Sequence, residues 1–590
     1  MKRPTFVDYR IALETAAFLV FGGFLFFTLL HMQPVVSVQY QYGKETEQAG
    51  FLPLEVKTQS KYLRVKGTMT LPAIHGSLFV LRPDDCIETM MVNGKALPAD
   101  DVKFCNARPG KRINLSGTLF PGKNSIEWNI RDTGGTGGMA MPLSWLDPVF
   151  LALVSSLVLL IVLFGSRLLS LLTPQSKSAH ALFFITVAAI VVRLALSWHP
   201  GYGYDIKLNK QWAQHAVEQG IGHSYQINPS KGSRPNYPPL NLIVLAGAHY
   251  LYTSIAPLPP SEKWSVGYHV AMKLPAIAAD GLICILLFFV CSSLFTPKKG
   301  LIAAAIYAFH PAAIFLSAAW GQTDAIYALA MTAALLMAIQ KRWVLTGVCL
   351  GASLLLKVQS IILLPLVILF LFEEGAWWRM ISGALVVFLV TLFPFVYSHT
   401  LSDVLQSYLS SVGFYHSLTM SADNVWVILF GSAVSKSSLD TMLGLNFRTI
   451  GVCVFAAAAA FLLAISYRTI AHWQRRKEYG IALFLLSSLI AFSFFLFNAE
   501  MHERYLFPFI VFGIPFVFTG KRGAMLYLFA STLFFGNLSH VLQLGQFDRS
   551  VWKAFPGFKS FIASGLFFVF VMMVYHYWAW LKERKTLGKQ

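Results

Sequence analysis

The sequence predicts a polytopic α-helical membrane protein with a small β-sandwich domain inserted near its N-terminus. Hydrophobic residues make up 56% of the 590 residues and charged residues only 13%, whereas a soluble chain carries about 25% charged residues. Apolar runs of roughly 17 or more residues recur along most of the chain, and such runs are long enough to cross a bilayer. One long polar region near the N-terminus interrupts this pattern.

The basic residues indicate how the chain is oriented. The formal net charge of +19 comes from Lys and Arg residues in short clusters between the apolar runs. On a soluble protein this charge would suggest nucleic-acid binding, but here the clusters match the excess of basic residues in cytoplasmic loops of membrane proteins. We therefore expect both termini in the cytoplasm, membrane lipid as a partner and no nucleic acid. The expected location is a bacterial inner membrane.

Residues 1–31 are predicted to be an N-terminal membrane anchor. The basic opening MKRPTFVDYR is followed by an apolar run at 11–31. This run is too long for the core of a typical signal peptide, and no small-residue cleavage site ends it. The pattern therefore favours a signal anchor whose N-terminus is inside.

The polar region carries the pattern of β-strands. Stretches such as YLRVKGTMTL alternate between apolar and polar residues, and Gly, Pro and Asn-Gly turns separate them. This alternation predicts half-buried strands, so residues 32–145 are expected to form a small periplasmic β-sandwich. Its two cysteines, Cys86 and Cys105, are expected to form a disulfide in an oxidising compartment. A second anchor helix is predicted within 146–175.

Residues 176–590 hold the remaining spans and two outer loops, at 198–269 and 398–446. The basic clusters all face the cytoplasm only if the apolar stretch at 238–252 does not cross the membrane fully. We therefore interpret this stretch as a re-entrant or interfacial helix, which begins at a Pro-Pro pair. The predicted spans, about fourteen in number, are 11–31, 147–167, 180–197, 270–292, 300–318, 324–340, 343–357, 361–373, 379–397, 447–467, 479–498, 505–519, 523–541 and 556–580.

Polar motifs from distant parts of the chain meet at the outer face under this topology. They are YDI, NYPPL, MKLP, WGQTD, KVQS, SADNVW and NAEMHERYLFP. An ionisable residue at membrane depth costs roughly 2.5–3.5 kcal/mol, so these motifs need either ion pairing or a charged ligand. The candidate binding residues are Tyr204, Tyr237, Lys273, Trp320, Gln322, Asp324, Lys357, Gln359, Asn424, His502, Glu503, Arg504 and Tyr505.

The chemistry of this set suits a phosphorylated sugar carried on a lipid. Arg and Lys neutralise phosphate, and an acid such as Asp205 can take a proton from a hydroxyl. A simpler interpretation treats His502, Glu503 and Arg504 as an ion-pair lock at a helix end. Asp280 is interpreted as the structural partner of Lys273, which starts a span. The stretch HERYL lacks the second His of H-E-x-x-H, so no metal site is expected.

The order of the motifs resembles that of a known group of enzymes. From YDI through NYPPL, WGQTD and KVQ to MHERYLFP, the chain is similar to bacterial relatives of the second mannosyltransferase of GPI-anchor synthesis. These enzymes belong to the GT-C superfamily of glycosyltransferases that use polyprenyl-phosphate sugars. The resemblance covers about 180–540, and WGQTD and HERYLFP are its most specific parts. SADNVW departs from the family's Asn-Ala-Tyr-Asn-Leu-Trp form, which leaves the acceptor open.

The resemblance implies an inverting sugar transfer at the periplasmic face. Asp205, in the first outer loop, is similar in placement to the family's catalytic base, and Lys273 resembles a cation that faces lipid phosphate. The implied donor is a polyprenyl-phosphate sugar, with a mannose-like hexose favoured, and the implied acceptor is a glycan or a lipid. No cofactor is expected. Two other functions stay open: a lipid-linked-sugar flippase, and a non-catalytic assembly subunit whose β-domain binds polysaccharide.

Overall fold

The computed structural model describes most of the chain. The described residues are 36–52, 54–58, 62–105, 110–131, 135–141, 143–144, 147–149, 152, 156, 176–226, 234–254, 258, 266–370, 376–411, 415–431, 436–472, 477–542 and 557–587. The anchor predicted at 11–31 and most of the span predicted at 147–167 lie outside this set. Two compact units divide the chain, residues 1–183 with 250–268 and residues 184–249 with 269–590.

The first unit contains two packed β-sheets. Its strands are β1 Val36–Tyr42, β2 Gln48–Phe51, β3 Leu54–Thr58, β4 Tyr62–Leu71, β5 Leu78–Pro83, β6 Cys86–Val92, β7 Lys95–Ala96, β8 Phe104–Cys105, β9 Lys111–Asn114, β10 Gly122–Arg131 and β11 Gly135–Ala140. One sheet has the order β2-β1-β4-β10-β6-β7, with β8 beside β6, and the other has the order β3-β11-β5-β9. Trp128 of the first sheet and Phe79 of the second belong to one buried cluster. The arrangement is the predicted β-sandwich.

Local sequence explains these strands. Along β4 every second residue is buried and the others are exposed, as the alternation of YLRVKGTMTL requires. Asn93 and Gly94 form the two-residue turn between β6 and β7, and both have a positive φ, +50° and +78°. Asn-Gly is the pair that favours such a hairpin turn. Cys86 and Cys105 are joined by a disulfide, which links β6 to β8.

The second unit is helical. Its helices, with two that begin in the first unit, are α1 Ser176–Leu196, α2 Gly203–Glu218, α3 Pro239–Thr253, α4 Val266–Leu294, α5 Pro297–Ala308, α6 Pro311–Ile314, α7 Asp324–Ile339, α8 Trp343–Leu356, α9 Leu364–Phe370, α10 Ala376–Tyr397, α11 Leu401–Ser411, α12 Val425–Phe430, α13 Phe447–His472, α14 Lys477–Phe497, α15 Phe507–Phe512, α16 Lys521–Val541 and α17 Phe558–Leu587. Within the described residues, seven helices are long and apolar enough to cross a membrane, or eight if the bent pair Pro297–Ala308 and Pro311–Trp320 counts as one span. The protein is therefore a polytopic helical membrane protein, and the total of about fourteen spans stays a prediction.

Several predicted spans are short or broken helices. The pair Pro297–Ala308 and Pro311–Trp320 bends by 48°, and the helices Asp324–Ile339 and Trp343–Leu356 have only 16 and 14 residues. The stretch interpreted as re-entrant forms Pro239–Thr253, whose 15 residues extend over about 22 Å, less than a bilayer core. Irregular backbone at membrane depth is tolerated where it lines a cavity or is buried in protein.

Buried charges connect these helices. Arg193 Nε donates to Asp280 Oδ2 over 2.6 Å, and its Nη1 donates to the carbonyl oxygen of Ala308 over 2.8 Å. The Tyr307 hydroxyl donates to Asp280 Oδ1 over 2.5 Å. The interpretation of Asp280 as the partner of Lys273 was therefore wrong, because Asp280 pairs with Arg193. A buried carboxylate needs a charged or hydrogen-bonding partner. Arg193 lies inside an apolar span far from Asp280 in sequence, so the sequence pattern did not indicate that the two residues pair.

The orientation predicted from the basic clusters can be tested by labelling cysteines in intact cells. In a background whose free cysteines are replaced by serine, Lys298→Cys should be shielded from a membrane-impermeant thiol reagent, because the positive-inside pattern places it in the cytoplasm. Leu443→Cys should react, because Leu443 is 94% exposed in a predicted outer loop. Labelling of Lys298→Cys alone would contradict the orientation.

Candidate active site

Asp205 is held by the end of a π-helix. The π-helix Phe315–Trp320 ends at Gly321, which has a φ of +86°. Trp320 Nε1 donates to Asp205 Oδ2 over 3.1 Å, and Gln322 Nε2 donates to the same oxygen over 2.5 Å. In the described part of the chain no donor bonds Oδ1, so that oxygen can accept a proton from a bound molecule. Single π-helical turns are frequent at functional sites.

Two glycines permit the close approach between the segment that leads to Asp205 and the end of the π-helix. Gly201, with a φ of +76°, lies against the backbone carbonyl of Trp320, so that a Cβ there would collide with the carbonyl oxygen. A Cβ at Gly321 would lie 2.9 Å from Cε of Lys273. Both positions therefore require glycine, for conformation and for space. Asp205 itself lies in the first turn of α2, where the helix dipole favours a carboxylate.

Lys357 lies in a cage of aromatic rings next to Asp205. Its Nζ donates to Asp324 Oδ1 over 2.8 Å, and both side chains are almost completely buried. The same nitrogen lies 5.9, 5.2 and 5.5 Å from the ring centres of Tyr237, Tyr327 and Tyr505. Ring faces attract a cation at these distances. Lys357 is therefore fixed in place, with its charge balanced by Asp324.

The joint between α14 and α15 carries a second ion pair. Arg504 Nη1 donates to Glu503 Oε1 over 2.7 Å and lies 3.3 Å from His502 Nδ1. Burial alone would raise the pKa of Glu503, but Arg504 outweighs burial and lowers this pKa to about 2. Burial and Arg504 both lower the pKa of His502, so its imidazole is neutral near pH 7. A guanidinium can only donate, so the contact with Arg504 favours the tautomer in which Nδ1 accepts and Nε2 carries the proton, while Glu503 Oε2 lies 3.8 Å from the same Nδ1.

These groups line a cavity of about 800 Å³. Asp205, His502 and Arg504 form part of its polar lining. Its apolar lining includes Val452, Phe455, Ala456, Ala459, Ala460 and Leu463. These residues recur at helical spacing and form one face of α13, about 17 Å long. The cavity therefore combines a polar region with an apolar wall as long as half a bilayer core.

The structure brings most of the predicted residues to this cavity. Those that line it are Tyr204, Asp205, Tyr237, Lys357, Gln359, His502, Arg504 and Tyr505. Four others lie behind the lining and hold its residues in place: Trp320 and Gln322 bond Asp205, Asp324 pairs with Lys357, and Glu503 pairs with Arg504. The ion-pair interpretation of His502, Glu503 and Arg504 is thus compatible with the binding interpretation.

Lys273 and Asn424 are the exceptions. Lys273 is fully buried, and its Nζ lies within 3.1 Å of the carbonyl oxygens of Ser197, His199, Ala318 and Ala319. These acceptors saturate the three donors of an ammonium group, so Lys273 ties together two backbone segments and does not face a lipid phosphate. Asn424 caps α12 and donates to the carbonyl oxygens of Phe495 and Asn498. Both assignments to substrate binding are corrected to structural roles.

Arg448 lines the cavity and was missed as a binding candidate, and its partner Glu500, from the predicted motif NAEMHERYLFP, lines the cavity as well. Arg448 donates to Glu500 Oε1 through Nε and Nη2, over 2.8 and 2.6 Å, and Ser438 donates to the same oxygen. Glu500 has a φ of +60°, which is costly for a residue with a Cβ. One signal was available, because Arg448 begins a span at its predicted outer end, against the positive-inside pattern.

The described residues contain no group of three or more His, Cys, Asp or Glu side chains that could hold a metal ion. The carboxylates at the cavity are instead engaged by nitrogen donors of Trp, Gln, Lys and Arg side chains.

A comparison with protein families finds a match to part of the chain. Residues 237–497 match the model of glycosyltransferase family 87. This match supports a glycosyltransferase. The matched stretch covers less than half of the enzyme and includes Lys357 and Arg448, whereas Asp205 and Arg504 lie on either side of it. Among curated protein sequences, none matches the enzyme.

Three solved structures are similar to the enzyme. ArnT from Cupriavidus metallidurans bound to undecaprenyl phosphate has 13% identity and a TM-score of 0.38, over 69% of the enzyme and 78% of ArnT. The oligosaccharyltransferase of Archaeoglobus fulgidus has 13% identity and a TM-score of 0.35, over 67% and 56%. The arabinosyltransferase EmbB from Mycobacterium smegmatis has 12% identity and a TM-score of 0.32, over 98% and 64%. The enzyme thus spans less than two thirds of the last two chains, and similarity this low supports no statement about function.

Replacement of Glu503 tests the buried ion pair through the pH dependence of stability. Because its pKa is lowered to about 2 in the folded protein, Glu503 contributes stability above its ordinary pKa, and this contribution is lost as the pH falls toward 2. Glu503→Gln should therefore lower the free energy of unfolding by on the order of 3 kcal/mol at about pH 7 and by less at about pH 3, so the fall in melting temperature should be smaller at the lower pH.

The exposed residue Glu583, in the same structural unit, provides the control. Glu583→Gln should leave the melting temperature of the detergent-solubilised enzyme close to that of wild type at both pH values. An equal loss in Glu503→Gln at both pH values would contradict the assignment of charge to this pair.

Proposed function

We propose that the enzyme transfers a sugar from a polyprenyl-phosphate donor to a hydroxyl of a glycan or lipid acceptor, with inversion at the anomeric carbon. The observation that carries the proposal is the composition of the cavity. One set of lining residues, with Asp205, His502 and Arg504, suits a charged sugar phosphate, and the apolar face of α13 suits a hydrocarbon chain. A single molecule that combines both is a lipid-linked sugar phosphate.

Asp205 is the proposed base. Its Oδ2 is oriented by two neutral donors, Trp320 and Gln322, and not by a cation in direct contact. Neutral donors position the carboxylate while leaving its charge available for a proton. The acceptor hydroxyl loses its proton to Asp205, its oxygen attacks the anomeric carbon, and the bond from that carbon to the phosphate oxygen breaks. The bonding electrons leave with the polyprenyl phosphate.

Arg504 and His502 stabilise the leaving phosphate. The phosphate gains one negative charge when the glycosidic bond breaks, so donors fixed in advance lower the barrier. Arg504 is positioned by Glu503, and the proton of His502 is on Nε2, the nitrogen that does not contact Arg504. Lys357, whose charge is balanced by Asp324, lies in its aromatic cage on the lining of the same cavity. These are the hydrogen bonds and charges that the departing polyprenyl phosphate, a phosphomonoester, requires, and the reaction balances without a cofactor.

The favoured sugar is a mannose-like hexose, and the favoured location is the periplasmic face of a bacterial inner membrane. The choice of sugar is based on the sequence resemblance, and the location is based on the basic clusters of the loops. Four tyrosine side chains at the cavity, those of Tyr204, Tyr237, Tyr415 and Tyr505, offer ring faces and hydroxyls to a sugar.

Asp205→Asn tests the base directly. The substitution keeps the size of the side chain and removes its basicity, so turnover should fall roughly 100-fold or more while donor binding is retained. The measurement is sugar transfer from a radiolabelled polyprenyl-phosphate sugar by the purified enzyme, beside a donor-binding assay. Glu218→Gln, an exposed residue at the other end of the same helix, is the matched control and should transfer at the wild-type rate.

Two results would contradict the proposal. If Asp205→Asn transfers sugar at the wild-type rate, Asp205 is not the base. If the wild-type protein moves the lipid-linked sugar across a bilayer but never breaks its sugar–phosphate bond with any acceptor supplied, the protein acts as a flippase on the same ligand.

A further inference from the structure

The β-sandwich carries a groove on the exposed face of its larger sheet. The groove has a volume of about 720 Å³ and crosses strands β2, β1, β4, β10 and β6. Neighbouring strands are about 4.8 Å apart, so the five strands extend over about 19 Å. All residues of the groove belong to the first structural unit. Nothing in the sugar-transfer mechanism uses this surface.

Strand register explains the shape of the groove. Ser37 pairs with Phe51 on one side and with Thr68 on the other, and Thr68 pairs with Ser125. This row of short hydroxyl side chains therefore crosses four strands and ends at Phe51. The adjacent row on the same face is formed by Ala49, Gln39, Lys66, Glu127 and Met91. The short side chains of the first row, next to the long side chains of the second, form the bottom of the groove.

The groove offers hydroxyls, an amide and apolar side chains to a ligand. Phe51 is 54% exposed and Met91 is 37% exposed, although both are large and apolar. Exposed aromatic and apolar side chains beside polar groups indicate a binding surface. A sugar ring has the matching chemistry, because it carries hydroxyls at its edge and C–H groups on its faces.

The charges at the groove are balanced, which decides between occupants. Lys66 lies 3.5 Å from Glu47, and Arg64 pairs with Glu127, so each cation has its own carboxylate. A surface that binds anionic lipid or nucleic acid needs an excess of positive charge. A peptide that adds to a sheet uses an exposed strand edge, whereas this groove lies on the face of the sheet. The balance therefore favours an uncharged ligand.

We propose that this groove binds an uncharged glycan chain of several sugar units, with Phe51 stacked on one ring and the row of hydroxyls bonded to the others. The groove shares no residue with the cavity at Asp205, so the proposal does not depend on the sugar-transfer mechanism. On a glycosyltransferase such a site would hold a growing or neighbouring glycan near the enzyme.

Binding of uncharged oligosaccharides to the purified full-length enzyme tests the proposal. The probes are gluco-, galacto- and manno-oligosaccharides of increasing length on an array, followed by titration of the best binder. Thr68→Arg fills the centre of the groove and should abolish binding. Phe51→Ala should weaken binding about three- to tenfold through loss of ring stacking. Asp205→Asn should bind as the wild type does, which separates this site from the active cavity.

The chain offers a matched control for each groove variant. Thr70 is exposed on the same strand and the same face as Thr68, but it lies outside the groove. Phe120 is 58% exposed on a loop and also lies outside it. Thr70→Arg and Phe120→Ala should both retain wild-type affinity. The proposal is overturned if no uncharged oligosaccharide binds, if only charged oligosaccharides or anionic lipid vesicles bind, or if Thr68→Arg and Thr70→Arg bind equally well.

Discussion

Compensation of buried charge is the constraint on which the helical unit depends. A charge removed from water must be paired or hydrogen-bonded, since an isolated one costs several kcal/mol even after relaxation. Lys273 meets this requirement with four carbonyl oxygens, Arg193 with Asp280, and Lys357 with Asp324. Each solution joins segments that are distant in sequence. The same contacts that neutralise charge therefore fix how the short and broken helices are placed around the cavity.

The active site uses this constraint in two different ways. Lys357 and Arg504 each have a carboxylate partner, so they are held rigidly and present donors with little net charge. Asp205 has neutral partners, Trp320 and Gln322, and retains a carboxylate oxygen that no described residue bonds. A site with paired cations and one unpaired acid is suited to a ligand with a single negative charge and a hydroxyl that must lose a proton. Pre-positioned groups of this kind need little reorganisation during reaction.

Apolar runs, strand alternation and motif order were sufficient to predict the helical membrane unit, the β-sandwich and eight residues of the cavity lining. Side-chain patterns failed where a partner was backbone or lay within an apolar run. The acceptors of Lys273 are carbonyl groups, which no sequence motif marks, and Arg193 is a single cation inside a span. Asn424 was taken for a ligand contact because a helix cap and a binding amide look alike in sequence. The lowered pKa of His502 comes first from its burial and then from nearby Arg504, and only a structure provides both.

In the proposed mechanism, one cavity holds the phosphate of a lipid-linked donor next to Asp205 and its hydrocarbon chain along α13. A cryo-EM map of the enzyme with bound undecaprenyl phosphate would show where both parts of the lipid bind. We expect the phosphate within hydrogen-bond distance of Arg504 and of His502 Nε2, and the hydrocarbon chain against the face from Val452 to Leu463. A phosphate bound elsewhere at saturating lipid, with this cavity empty, would contradict it.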